Sequence, residues 1–134
     1  MTFSVFYENT RGGIKNNYLS FFLIKEIFLD KCAISEIILA ELVYGAESSN
    51  NPKKNHLIIE KFIKQLTIFP ILDSIFLFGS EKAKLRKKGK IISDFDLLIG
   101  CTAIEKDLIM VTENVREFER MSNIKIENWV NRTI

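Results

Sequence analysis

The sequence predicts an α/β fold, in which a small, mostly parallel central sheet is flanked by helices. Apolar runs of strand length alternate with longer helical patterns along the chain, which is typical of consecutive βα units. No internal repeat and no low-complexity linker divides the 134 residues, and 47% of them are apolar. We therefore expect residues 1–134 to form one domain around one hydrophobic core.

The first part of the chain contains two predicted strands and two predicted helices. Strands are predicted over residues 2–7 and 31–34, and an apolar helix is predicted over residues 18–29. Ser35 belongs to the residue types that cap helices, and it follows the second strand directly. The next helix is expected to run from Ser35 through Tyr44 and to end at Gly45, because glycine often follows the last turn of a helix.

Prolines and glycines divide the rest of the chain into further elements. Pro52 follows a pair of asparagines and suits the first position of a helix, whose buried face is predicted to contain Ile59, Phe62, Ile63 and Leu66. Pro70 restricts its segment to the edge of a sheet, and Gly89 ends the following helix. We predict an edge strand over residues 68–71, helices over residues 73–88 and from about Phe95, and strands over residues 108–111 and 124–127.

Composition narrows the class of protein. No apolar stretch approaches the roughly 20 residues that a membrane helix needs, and residues 1–7 show no export leader, so we expect a cytoplasmic protein without a membrane partner. Cys32 and Cys101 lie in apolar runs without metal-binding spacing and are expected to be buried thiols. His56 lies in a polar stretch and is expected at the surface. The net charge of +2 neither requires nor excludes a nucleic-acid partner.

Glu41 lies in the helix that follows Ser35, and nearly every other position of that helix is apolar. A helix that is apolar nearly all round is expected to be buried, and a buried carboxylate needs a cation, a metal or a hydrogen-bond donor as its partner. Two interpretations follow. Glu41 serves a metal or catalytic site, or it lies at the edge of the helix and pairs with a lysine.

Asp96 lies at the start of another apolar helix and also has two interpretations. Ser93 and Asp96 have the spacing of a capping box, in which Asp96 would accept a hydrogen bond from the backbone of the cap residue. Asp94 is equally ambiguous, because the helix dipole favours an acid at this position without any function. Alternatively, the carboxylates bind a metal ion at the crevice where the strands of an α/β sheet end.

Four separated segments, in order and at close to the expected spacing, resemble the PIN-domain toxins of the VapC type. The resemblance covers about residues 32–129. It is carried by Ala40-Glu41-Leu42-Val43-Tyr44-Gly45, Asp96-Leu97-Leu98-Ile99-Gly100, Val111-Thr112-Glu113-Asn114 and Ile126-Glu127-Asn128-Trp129. It implies a PIN-like fold and a Mg²⁺- or Mn²⁺-dependent endoribonuclease that cuts single-stranded RNA as the toxin of a type II toxin-antitoxin pair. It also implies a VapB-like antitoxin and a homodimer.

The same resemblance implies the site residues. The glutamate and aspartate that the family uses match Glu41 and Asp96, its polar residue after the strand matches Asn114, and Glu117 is a further acid nearby. The family's first aspartate has no match, and Glu8 is the nearest carboxylate at the end of the first strand. We therefore predict Asp96, Glu41 and Glu8 as metal ligands, because Mg²⁺ takes oxygen ligands and is often held by one or two carboxylates.

Two alternative functions remain open. A PIN-fold chain without the first aspartate would bind antitoxin or RNA and leave the RNA uncut. A minimal nucleotidyltransferase is the other alternative, since Gly79-Ser80 followed by Asp94 and Asp96 resembles its signature. That enzyme needs a strand over residues 94–99, whereas the nuclease needs a helix from about Phe95. A basic run before this segment either is a solvated helix end or holds RNA phosphates. It consists of Lys82, Lys84, Arg86, Lys87, Lys88 and Lys90.

Overall fold

The structure is a computed structural model and describes residues 4–7 and 31–128. Its strands are β1 (Val5–Tyr7), β2 (Cys32–Ser35), β3 (Thr67–Phe69), β4 (Ile109–Val111) and β5 (Lys125–Glu127). Its helices are α1 (Glu36–Glu47), α2 (Pro52–Ile63), α3 (Ile75–Lys87), α4 (Asp94–Glu105) and α5 (Val115–Phe118), with a 3-10 turn at Ile71–Ser74. The helix predicted over residues 18–29 lies outside the described residues, as do Glu8 and Trp129.

The five strands form one sheet in the order β3-β2-β1-β4-β5. The pairs β2–β3 and β4–β5 are parallel, and β1 runs antiparallel to both β2 and β4. Four strands therefore point the same way, as the prediction of a mostly parallel sheet requires. The reversed direction of β1 was not predicted, and it pairs Tyr7 with Cys32 and Ile109, the first residues of β2 and β4.

The hydrophobic core lies around the three central strands. Phe6, Ile34 and Met110 are fully buried on β1, β2 and β4, and Leu97 of α4 and Phe118 of α5 are buried against them. Strands covered on both faces need continuous apolar sequence, which these three strands have. The outer strands β3 and β5 contain no fully buried residue, in agreement with the prediction of an edge strand before Pro70.

The predicted start signals of α1 and α2 are confirmed. Ser35 caps α1, because its Oγ accepts a hydrogen bond of 2.9 Å from the backbone N–H of Ile37. Pro52 occupies the first position of α2, and the side chain of Asn51 caps that helix. The predicted end at Gly45 is wrong, because the helix continues through Glu47 and Gly45 has no left-handed backbone conformation.

The burial predicted for α1 is only partly correct. Ile37 and Ile38 are buried, whereas Val43 and Tyr44 are 40% and 73% exposed. The apolar character of α1 therefore serves two surfaces, one against the core and one towards solvent. The face of α2 that was predicted to be buried is half-buried, and α2 contains no fully buried residue.

Gly89 lies in the turn that ends α3. Its φ is +68°, and its backbone N–H donates to the carbonyl of Arg86 at 3.1 Å. The backbone N–H of Lys90 donates to the carbonyl of Leu85 at 2.9 Å. These two bonds make a Schellman motif, which glycine permits because it adopts a positive φ without strain. The motif turns the chain back, so that Lys90 lies beside the last turn of α3.

Three smaller predictions concern the cysteines, His56 and the membrane. Cys32 and Cys101 are both buried, as predicted, and within the described residues neither forms a disulfide. His56 is partly exposed, and its Nε2 lies 2.9 Å from Oε2 of Glu47. Among the helices that the structure describes, none combines the length and apolar character needed to cross a bilayer.

Candidate active site

The first turn of α4 places Asp96. Ser93 is the cap residue of this helix, because its Oγ accepts a 3.2 Å hydrogen bond from the backbone N–H of Asp96. The predicted capping role of Ser93 is therefore confirmed. The carboxyl group of Asp96 is partly buried at the start of the helix, and this position fixes it relative to the elements packed around α4.

Three carboxyl groups from three helices act on one another at this point. Burial raises the pKa of Glu41 on α1, and the negative charge of Asp96 raises it further. Burial also raises the pKa of Asp96, and a hydrogen bond with Glu117 of α5 and its charge add to this effect, while the Ser93 hydroxyl lowers it. Asp96 therefore interacts with both Glu41 and Glu117, and we call these three acids the acidic cluster.

Asn114 holds Glu117 in this cluster. Its Nδ2 donates a hydrogen bond of 3.1 Å to Oε2 of Glu117. Its own backbone N–H donates to Oγ1 of buried Thr112 at 3.1 Å, and the Ser4 hydroxyl donates to the same Thr112 oxygen at 3.2 Å. The turn after β4 thus positions Asn114, which in turn positions Glu117. Asn114 was predicted as a site residue, but its hydrogen bond to Glu117 was not predicted.

The arrangement that a nucleotidyltransferase needs is absent from the described residues. Asp94 and Asp96 lie in the first turn of α4, so the strand that this enzyme would need over residues 94–99 is a helix, as predicted from about Phe95. Asp94 pairs with Lys82, with 2.9 Å between Oδ1 and Nζ. Gly79 and Ser80 lie inside α3 and form no loop, and the hydroxyl of Ser80 donates to the carbonyl of Leu77. The nucleotidyltransferase hypothesis is therefore wrong.

The donor atoms of the acidic cluster fit a hard divalent cation. All of them are carboxylate oxygens, which Mg²⁺ and Mn²⁺ prefer, whereas Zn²⁺ sites usually contain histidine or cysteine. Within residues 4–7 and 31–128, no three acidic, histidine or cysteine side chains already converge into a complete metal site. Mg²⁺ keeps several waters and commonly takes only one or two protein carboxylates, so Asp96 with one neighbour meets its requirement. Glu8 lies outside the described residues, so its role stays a prediction.

Asp96→Asn is expected to stabilise the metal-free protein at neutral pH. Because the folded state raises the pKa of Asp96, it binds this proton more tightly than the unfolded chain does. The free energy of unfolding therefore falls as the pH rises above the ordinary aspartate range near about 4. Asparagine at position 96 carries no charge, so the variant does not lose this part of the free energy of unfolding as the pH rises. In EDTA at pH 7.5 we expect the thermal midpoint of Asp96→Asn to exceed that of the wild type by a few degrees.

The pH dependence provides the control for this experiment. At about pH 3, where the unfolded carboxyl is also largely protonated, the two midpoints should converge. Asp107→Asn is the matched surface variant, because Asp107 pairs with Lys125 at the surface and its side chain is 84% exposed. An Asp96→Asn protein that is less stable than the wild type at pH 7.5 in EDTA would contradict the repulsion inferred here.

Comparison with known proteins agrees with this fold. The profile of the family described as "PIN domain" matches residues 4–124. Ribonuclease VapC2 of Haemophilus influenzae is 44% identical over 101 residues, which are 75% of this chain and 76% of that protein. The tRNA(fMet)-specific endonuclease VapC of Salmonella typhimurium is 38% identical over 100 residues, which are 74% of this chain and 76% of that protein.

Solved structures give the same result. The DNA-bound VapBC of Salmonella typhimurium matches with a TM-score of 0.69 at 39% identity, covering 72% of this chain and 74% of that chain. VapBC2 of Rickettsia felis bound to a promoter DNA fragment matches with a TM-score of 0.67 at 39% identity, with coverages of 72% and 74%. The mixed five-stranded sheet with flanking helices and an acidic cluster defines a PIN domain. The chain belongs to the VapC family of PIN-domain proteins.

Proposed function

We propose that this chain is a Mg²⁺- or Mn²⁺-dependent endoribonuclease that cuts single-stranded RNA, and that it is the toxin of a type II toxin-antitoxin pair. The acidic cluster is the observation that carries the proposal, because Glu41, Asp96 and Glu117 come from three different helices and Asp96 interacts electrostatically with both of the others. A protein gains no stability from close carboxylates. A divalent cation offsets their negative charge, and acids with raised pKa values, such as Glu41 and Asp96, are typical of functional sites.

The residues of the cluster have separate roles in this proposal. Asp96 and Glu41 hold the cation through their carboxylate oxygens, and Glu8 is proposed as a third ligand. Glu117, fixed by the side chain of Asn114, accepts a proton from the attacking water. A divalent cation held there would lower the pKa of a water molecule and would offset negative charge on the phosphodiester.

The partners follow from the relatives. Several VapC relatives are named ribonucleases or endonucleases, and similar solved structures are titled VapBC complexes. We therefore propose a VapB-like antitoxin as the partner of this chain and a homodimer as its assembly.

Glu41→Gln is expected to lower metal-dependent cleavage by about 100-fold, because a neutral amide replaces one of the charges that holds the cation. The measurement is the initial rate on a mixed-sequence single-stranded RNA pool with Mg²⁺, and EDTA should abolish cleavage by the wild type. Glu47→Gln is the matched control on the same helix, since Glu47 pairs with His56 at the surface. Equal rates for Glu41→Gln and wild type would contradict the role of Glu41.

The direction of β1 favours a second candidate function. The last residue of this strand, Tyr7, pairs with the first residues of β2 and β4, whereas Thr112 and Asn114 follow the other end of β4. Tyr7 therefore lies at the end of the sheet opposite to Asn114. A chain whose first strand supplies no metal ligand beside Asn114 would bind antitoxin or RNA and leave the RNA uncut. Pure wild-type protein that binds the RNA pool but releases no fragments with Mg²⁺ or Mn²⁺ would establish this second function in place of the first.

A further inference from the structure

A cavity of about 360 Å³ lies between the last turn of α3, the segment that follows it and the first turn of α4. Its volume falls at the lower end of the range found for small-molecule sites, which is roughly 300–1,000 Å³. The residues that line this cavity include Lys82, Arg86, Lys90, Ile91, Asp94 and Leu97.

The cavity has an apolar floor and a cationic rim. Leu85, Ile92 and Leu97 are buried at its base. Three cationic side chains surround the cavity, those of Lys82, Arg86 and Lys90, together with the carboxylate of Asp94. Lys82 and Asp94 form an ion pair, with 2.9 Å between Nζ and Oδ1. Arg86 and Lys90 are exposed and form no ion pair within the described residues, so their charges are available to an anionic ligand.

The cavity adjoins the acidic cluster through α4 and Arg120. Asp94 lines the cavity, and Asp96 belongs to the acidic cluster. Because these residues are two positions apart in α4, their side chains leave the helix about 200° apart around its axis. The two sites therefore flank opposite sides of the same helix end, about 10 Å apart. The guanidinium of Arg120, three residues after Glu117, donates to the carbonyl of Ile91 in the cavity wall. One strand of RNA that crosses the start of α4 reaches both sites.

We propose that this cavity binds one nucleotide of the RNA strand beside the phosphate that is cut. Its phosphate lies between Arg86 and Lys90, and its ribose and base lie over the apolar floor. The proposal rests on the proposed nuclease function and adds the residues that hold the substrate. It also divides the basic run into two parts, because Lys84, Lys87 and Lys88 do not line the cavity.

Two double variants with the same charge change test this division. Arg86→Gln with Lys90→Gln removes two cavity charges, and Lys87→Gln with Lys88→Gln removes two neighbouring exposed charges outside the cavity. The probe is a fluorescein-labelled, mixed-sequence single-stranded RNA in EDTA, and the dissociation constant is measured by anisotropy at several salt concentrations. Arg86 and Lys90 hold one phosphate in this proposal, and one phosphate contact contributes about 0.7 to the salt slope. The cavity variant should therefore lose about 0.7 in slope and bind about fivefold more weakly near 0.1 M salt.

The control variant should stay within about threefold of the wild type, and Arg86→Lys with Lys90→Arg should keep most of the affinity. Equal losses in the two double variants would overturn the proposal in favour of a general basic surface. Polyglutamate that binds as tightly as RNA, with the same dependence on Arg86 and Lys90, would overturn the assignment to RNA. Thermal midpoints equal to that of the wild type verify folding.

Cleavage with Mg²⁺, measured separately, distinguishes the two proposals. Wild-type protein that does not cleave, but binds RNA through Arg86 and Lys90 as expected, would remove the nuclease function and keep the nucleotide site. Wild-type protein that cleaves, with equal losses of binding in the two double variants, would keep the nuclease and remove the nucleotide site.

Discussion

Asp96→Asn is expected to lower metal-dependent RNA cleavage by about 10³-fold, the largest effect of any single change in the acidic cluster. Asp96 is the acid that interacts with both Glu41 and Glu117, so a neutral residue at this position removes the central charge. Metal-ion catalysis contributes several kcal/mol, and each 1.36 kcal/mol changes a rate about tenfold. The substitution keeps the cap of α4, because Ser93 bonds to the backbone N–H of residue 96. The initial rate of cleavage with saturating Mg²⁺ measures the effect.

Asp107→Asn is the matched control, because it changes the same chemical group at a residue that belongs to neither the acidic cluster nor the cavity. Asp107 pairs with Lys125 at the surface, and such pairs contribute about 0–1 kcal/mol. We expect its cleavage rate to stay within a few-fold of the wild type. If Asp107→Asn loses cleavage while Asp96→Asn keeps it, the metal site is not the acidic cluster. The two variants should also differ in EDTA, where only Asp96→Asn gains stability at neutral pH.

Phe118→Ala is expected to lower the free energy of unfolding by about 3–5 kcal/mol, which is the usual cost of removing a buried aromatic side chain. Phe118 ends α5 and is 1% exposed. It lies where α5 and α4 approach each other most closely, since a Cβ on Gly100 would be within 3.3 Å of the Phe118 ring. Unfolding in urea measures the change, which is a large part of the total stability of a domain of this size.

Two variants define the size of the Phe118 effect. Phe118→Leu fills most of the space and should cost much less than Phe118→Ala. Glu119→Ala is the surface control, because Glu119 is exposed and adjacent in sequence. It should change stability by no more than about 0.5 kcal/mol. A urea midpoint for Phe118→Ala equal to that of Glu119→Ala would show that α5 does not pack into the core as described.

The sequence contained the local part of the fold. Ser35, Pro52 and Gly89 were identified correctly because a cap, a first helical position and a left-handed turn each depend on one residue type and its near neighbours. Gly45 was misread for the same reason, since a glycine inside a helix has the same local signature as one at its end. The direction of β1 depends on pairing with distant strands, which a strand pattern alone does not encode.

The acidic cluster, like the fold, could be predicted from the sequence only in part. Glu41 and Asp96 were identified through the resemblance to the VapC family, and the structure places their carboxyl groups in one electrostatic environment. The bond between Asn114 and Glu117 is local, because it joins the cap residue of α5 to a residue of the same short helix. The interaction of Glu117 with Asp96 depends on how α5 docks on α4, so no local pattern of residue types predicted it. The cavity at the end of α3 was also beyond the sequence, because the basic run does not reveal which of its charges share a wall.

The central position of β1 has a consequence for synthesis of the protein on the ribosome. Ser4 and Thr112 share a hydrogen bond although they are 108 positions apart. β1 therefore cannot complete its pairing until β4 has been translated, so the two halves of the sheet join late in synthesis relative to the first strand. Asp96 and Glu117 lie close to β4 in the sequence, and Glu41 lies in the earlier part. A nascent chain thus carries its acids apart and brings them together only after Glu117 has been added.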